Sequence, residues 1–248
     1  MTFHIAGYTA SVDQAAIAAI SALADPSLTV SGNNIQIPDF ANFLMGAYGV
    51  GVSLTRAQLQ SPSLRRILNP EIRPIDRSAT TTNNPPFLNL FHNPIQLDTA
   101  EQMQGLISED GATTRNSIFV WLGDGKADVI TDPIFTVRAT GATTLVGFVW
   151  TNGGIVLDQA LPVGDYVIVG ARCESAGMLA FRFVFQGSTP RPGGIGFTAA
   201  NLVDPVGQRF GGWGVWGGFN STTPPTVDYL SASADSAETL AIDLVKVG

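Results

Sequence analysis

Two spacings of apolar residues divide this chain. In the first third they recur three or four apart. Ser11 to Ala24, SVDQAAIAAISALA, places Ile17, Ile20 and Leu23 on one helical face behind a serine able to cap the first turn. The Asp25-Pro26 pair ends that helix, and Leu28 to Ile37 reads as a short strand pair turned at SGNN. Pro38-Asp39 then opens a second helical run, with Phe40, Phe43, Leu44 and Ala47 at helical spacing. Beyond Gly49 and Gly51, Thr55 to Gln60 and Ser63 to Leu68 read as two short helices parted by Pro62.

From Phe87 onward the spacing changes to that of strands. PFLNLF, NSIFVWLG, IFTVRATG, TTLVGFVWT, GDYVIVGARC, GMLAFRFVFQG, RFGGWGVWGGF, TVDYLSAS and ETLAIDLVKV are apolar or alternating runs separated by turn residues. The turns are chemically explicit at Asn152-Gly153-Gly154, Pro162-Val163-Gly164-Asp165 and Glu174-Ser175-Ala176-Gly177, so Thr144 to Gln186 is predicted to be an antiparallel meander. Asp98 to Ser108 is the one helix expected among these strands. SATTTNNPP, Ser78 to Pro86, has the composition of a linker. The expected fold is mainly β: a helical extension over residues 1–77, a linker at 78–86, and an antiparallel jelly-roll-like β-sandwich over 87–248. No internal repeat is present, which disfavours a propeller or solenoid.

Phe210 to Asn220, FGGWGVWGGFN, sets two tryptophans and two phenylalanines among five glycines. Taken as a strand, it turns Trp213, Val215 and Phe219 to one face and Trp216 to the other, between Gly214 and Gly218. Three readings follow: a core strand, a subunit contact through Trp216, or a stacking surface for sugars or bases.

Composition sharpens the choice. Hydrophobic residues make up 45% of the 248 and charged ones only 13%, about half the usual share, with 27 glycines and 15 prolines, which points to a surface that neighbouring subunits cover. Net charge is −7 and Lys126 and Lys246 are the two lysines, a poor inventory for neutralising phosphates, so strong direct nucleic-acid binding is not expected. MTFHIAGYTA has no charged segment leading into an apolar core, predicting a protein made in the cytoplasm without a signal peptide. The Phe40 to Val52 run is shorter than the roughly 20 residues of a spanning helix, and no membrane span is expected. Cys173, the single cysteine, sits in the apolar YVIVGARC and is expected to be a buried structural thiol.

Five of the 13 basic residues, Arg56, Arg65, Arg66, Arg73 and Arg77, crowd one window opposed by Glu71 and Asp76. A solvated face, a docking patch for an acidic neighbour and a phosphate contact all fit such a window. With the Phe40, Phe43, Leu44, Met45 and Tyr48 cluster it forms the predicted subunit interface, together with Trp216. Asp124, Asp128 and Asp132 recur every four residues in GDGKADVITD, which suits either a solvated hairpin tip or calcium, though not an EF-hand. His4 and His92, the two histidines, lie in no catalytic motif, and no nucleophile elbow, phosphate loop or cofactor motif occurs. Glu101, Glu109, Asp110, Glu174 and Glu238 could supply a glycosidase pair only if folding brought two together. The chain is therefore expected to be no enzyme and to need no cofactor.

ALPVGDYVIVGARCESAGMLAFRFVFQG and the closing ETLAIDLVKV carry a pattern that resembles the jelly-roll coat proteins of icosahedral viruses and phages, over about Asn84 to Gly248. That resemblance implies a structural virion protein whose partners are copies of itself and other virion proteins. Many small coat proteins begin with a basic arm, whereas this chain is expected to begin with an alanine-rich helix, which favours a shell whose N-terminal helices hold subunits together. The competing readings are a carbohydrate-binding sandwich that stacks a host glycan on Trp121, Trp150, Trp213 or Trp216, and a hydrolase on a jelly-roll scaffold.

Overall fold

The structure, a computed structural model, describes residues 2–11, 15–51, 54–67, 69–76, 87–109, 115–126, 128–141, 143–197, 207–234 and 238–247. It is mainly β, with just over half of the described residues in strands, arranged in sandwich-like sheets. Two compact units divide it. The first is Ile5–Gly125; the second joins Met1–His4 to Lys126–Gly248.

Along the first unit run β1 (Phe3–Ser11, whose Phe3 and His4 belong to the second unit), β2 (Ala18–Ala19), β3 (Ser21–Ala22), β4 (Val30–Ser31), β5 (Asn34–Gln36), β6 (Phe43–Gly51) and β7 (Leu54–Gln60). Then come α1 (Pro62–Ile67), β8 (Glu71–Ile72), β9 (Pro74–Asp76), β10 (Phe87–Asn89), β11 (Ile95–Gln96), β12 (Gln102–Glu109) and β13 (Arg115–Gly123). One sheet has the order β10-β6-β13-β1-β3, with β9 and β11 also paired to β6; the other runs β4-β5-β12-β7-β8, with β2 on β12. Tyr8, Leu44, Ala47, Ile118 and Val120 of the one sheet share a core with Ile35, Leu59, Ile72, Met103 and Ile107 of the other. The Tyr8 hydroxyl donates to the Met103 carbonyl at 2.8 Å, and burial pushes its pKa up. On the opposite face of the first sheet Tyr48 stacks on Phe119 and Phe87 meets the edge of Trp121. Gly46 makes room there, since a Cβ would stand 2.5 Å from the Phe87 ring.

The second unit holds β14 (Phe135–Gly141), β15 (Thr151–Gly153), β16 (Ile155–Leu157), β17 (Asp165–Glu174), β18 (Met178–Val184), β19 (Gly193–Phe197), β20 (Gly217–Asn220), β21 (Thr226–Ser231) and β22 (Glu238–Val247). Their order is β15-β21-β18-β19-β17-β22-β14-β16, with β20 also on β17. The two ends of that path, β15 and β16, are separated in sequence by Gly154 alone. The sheet therefore curls until its edges meet, which hides most of the edge.

Several expectations are overturned. The helical extension over 1–77 is absent among the described residues: the Ser11 to Ala24 segment contributes β2 and β3, the Phe40 run is β6, and Thr55 to Gln60 lies in β7. Of the expected helices only Ser63 to Leu68 has a counterpart, α1; residues 12–14, 68, Arg77 and the 78–86 linker lie outside the described residues. The units divide at Gly125 and Lys126 rather than in the 78–86 segment, and β-structure begins at Phe3, well before Phe87. The Asp98 to Ser108 helix is replaced by β12.

The physical cause is burial on both faces. Along β6 every residue after Phe43 is buried, so its apolar run shows no alternation and imitates a helical face. Leu28 to Ile37, with a clear turn, does form the β4–β5 pair. The meander fails as well. Gly153 and Ile155 lead to opposite edges, β15 pairing with β21 and β16 with β14. Likewise Ser175 to Gly177 carries the chain from β17 to β18, which pairs with β19 and β21 rather than with β17.

Candidate functional site

In the second unit, Gly207 to Trp216 forms a turn and not the strand expected. Gly207, Phe210, Gly211 and Gly214 all have positive φ, which breaks the period-two reading and lets Trp213 and Trp216 stack, 6.1 Å apart at 17°. Trp216 is 4% exposed, enclosed by Phe3, Phe181 and Phe183. The expectation that Trp216 points away from the core is thus corrected. Gly217 contributes to that packing, because a Cβ would lie 2.4 Å from Phe185.

Buried polar groups fix the start of this turn. Gln208 is fully buried, its amide oxygen accepting from the Ile195 N–H and its NH₂ donating to the Ala171 and Ile195 carbonyls at 2.9 and 3.0 Å. Next to it Arg209 donates from Nε and one terminal nitrogen to the two oxygens of Asp243, at 2.6 and 2.7 Å. Asp243 also accepts from Thr136 Oγ1 at 2.6 Å and from the Phe210 N–H at 3.0 Å, so a fully buried carboxylate has four donors.

The result is a presented side chain. Phe210 has φ of 53°, a conformation that costs a bulky residue energy, and its ring is 61% exposed above the Arg209 guanidinium, 4.6 Å away. Ile130 and Ile134 reach the neighbouring Gly211, where a Cβ would lie 2.9 Å from one and 3.7 Å from the other. The adjoining Val129 is 85% exposed, and Phe135 is also exposed. Val146, Val149, Val156, Val163 and Val247 complete the exposed large hydrophobics among the described residues, and all eight belong to the second unit.

A second buried charge cluster lies in the same unit. Arg182, with no exposed surface, donates from Nε to Asp228 at 2.9 Å, and Arg191 and Asn152 donate to the same carboxylate. The Arg182 guanidinium lies 4.2 Å over the Trp150 ring. With Trp121 and Trp213 buried, the four tryptophans leave little free ring face for a sugar. Cys173 is buried, as expected, and burial, with Glu238 and Glu174 nearby, pushes its thiol pKa up.

The predicted interface residues fall apart as a group. Leu44 and Tyr48 are buried in the first unit, and Phe40 and Phe43 are half-buried. Arg56, Arg65, Arg66 and Arg73 are exposed, but Arg56 pairs with Glu71 at 3.3 Å and Arg66 with Asp98 at 2.7 Å, so two of the four spend their charge within the chain. Asp124, Asp128 and Asp132 form no metal cage: among the described residues no group of three histidines, cysteines or carboxylates is placed to hold a metal ion. Among those residues no helix is long and apolar enough to cross a membrane.

Sequence reasoning missed Arg209, Asp243 and Phe210. A signal was present: Asp243 in LAIDLVK, Asp228 in TVDYL and Arg182 in LAFRFVF each interrupt an apolar strand with a charge, and such a charge needs a buried partner. No protein-family model matches the sequence, and no curated protein does. Among solved structures, the major capsid protein P2 from bacteriophage PM2 aligns over 98% of both chains, with 11% identity and a TM-score of 0.25.

Proposed function

We propose that this chain is a self-assembling coat subunit, a structural virion protein without catalysis, whose partners are copies of itself and other virion proteins. The observation that supports this reading is the exposed Phe210, held at a costly φ next to the Arg209–Asp243 pair, in a unit that carries all the exposed large hydrophobics among the described residues. Backbone strain is retained where surrounding structure enforces it, and exposed apolar groups of this kind mark association sites. The low share of charged residues, 13%, agrees with a surface largely covered by neighbours. A jelly-roll-like arrangement of the Lys126–Gly248 strands and residence in the virion belong to the same proposal.

Mass photometry and negative-stain microscopy of the purified chain test it. Discrete oligomers or particles of uniform size are expected, and Phe210→Gly should shift them to monomers while leaving the fold intact. A wild-type chain that stays monomeric at high concentration, or a Phe210→Gly chain that assembles as before, would overturn the proposal.

A further inference from the structure

The solvent face of the second sheet of the first unit is paved with carboxamides. Strand alternation turns Ile35, Leu59, Met103 and Ile107 inward and leaves Asn34, Gln36, Gln58, Gln60, Gln102 and Gln104 on the opposite face. Five of the chain's ten glutamines stand on these three adjacent strands. Register makes them neighbours: Gln104 is directly opposite Asn34 on one side and Gln60 on the other, and Gln102 is opposite Gln36. Where this patch meets the start of α1 there is an open depression of about 140 Å³ lined by Asn34, Gln60, Gln102 and Gln104, with Ser61, Pro62 and Arg65 at its rim.

The depression is built on a braced frame. Glu101 accepts from Ser61 Oγ and from both the N–H and Oγ of Ser63, each at 2.9 Å, which fastens the rim at the turn into α1. Gln104 Nε2 donates to Asn34 Oδ1 at 3.0 Å, fixing the Gln104 amide so that its oxygen stays open as an acceptor. Gln60 lies against Arg65, and the amide orientation that satisfies both directs its oxygen at the guanidinium and frees its NH₂ to donate. A held acceptor and a held donor therefore stand on directly opposed positions, where Cβ atoms are about 5 Å apart.

We infer that this depression is a binding site for a hydroxyl-rich ligand, a saccharide. A hydroxyl both donates and accepts, and an amide offers both functions without charge, so paired amides match neighbouring sugar hydroxyls. A site for phosphate or a divalent cation would need converging charge of one sign, whereas Arg65 is the one charged side chain lining this depression. The inference does not depend on the coat reading, because it concerns the first unit and holds for a monomer or a particle. The four tryptophans play no part in it.

Saturation-transfer NMR on the full chain, with lactose, maltotriose and sialyllactose as probes at millimolar concentration, tests the assignment. Transfer to ring protons of at least one probe is expected, with affinity about tenfold weaker in Gln60→Leu/Gln104→Leu. Gln102→Ala, an exposed single change, provides a second variant and should weaken the same probe several-fold. Arg65→Ala separates the sources: selective loss of sialyllactose identifies an acidic sugar, and equal weakening of all probes a neutral one. No transfer from any probe to the wild type, or transfer unchanged in both folded glutamine variants, would overturn the inference.

Discussion

The two units place their strongest ion pairs differently. In the first, the ion pairs Arg56–Glu71 and Arg66–Asp98 lie at the surface, each partner about half exposed or more. In the second, Asp228 and Asp243 are buried and each holds arginine at hydrogen-bonding distance. An exposed pair gains little because water and salt screen it, so the first unit draws its stability from the shared core of its two sheets. Burial removes that screening, and a buried pair then fixes geometry: one carboxylate sets the Phe210 turn, the other joins Arg182, Arg191 and Asn152. The surfaces differ to match. One unit shows uncharged amides, the other large apolar side chains.

The sharpest way to break this contrast is to remove a buried carboxylate. Asp228→Ala leaves Arg182 without its charge partner in a site closed to water and should cost about 3–5 kcal/mol, read as a lower urea midpoint. A loss below about 1 kcal/mol would mean that water reaches the cluster and that the units do not differ as described.

Trp216→Ala comes next, since the indole is enclosed by Trp213, Phe3, Phe181 and Phe183. We expect a destabilisation of about 3 kcal/mol in thermal or urea unfolding, comparable to Trp213→Ala. Normal stability with loss of assembly would restore the interface role inferred from sequence. The smallest change is expected at the surface of the first unit. Arg66→Ala should alter stability by no more than about 0.5 kcal/mol, and the effect should shrink further as salt is raised. A larger or salt-independent loss would show that the exposed pairs also hold structure.

The mainly β character, the β4–β5 turn and the approximate positions of most later strands were legible in the residues, because β-branched runs and glycine or asparagine turns are local signals. Burial of Cys173 was legible too, from the apolar run around it. The rest came from pairing across the fold. Alanine-rich Ser11 to Ala24 has good helix propensity, yet Ala18–Ala19 pairs with the distant β12 and Ser21–Ala22 with the preceding β1, and such pairing outweighs a preference of a few tenths of a kcal/mol per residue. Asn152-Gly153-Gly154 is a hairpin signal locally, but the partners on either side are β21 and β14, so it closes a curled sheet instead. The amides of β5, β7 and β12 are unremarkable one by one; only register lines up Gln104 with Asn34 and Gln60. Trp216 reads as outward on a flat strand, and positive φ at Gly211 and Gly214 turns it into the core. Period and propensity are properties of a few neighbouring residues, whereas buried charge pairs join residues tens of positions apart and strand partners residues more than a hundred apart.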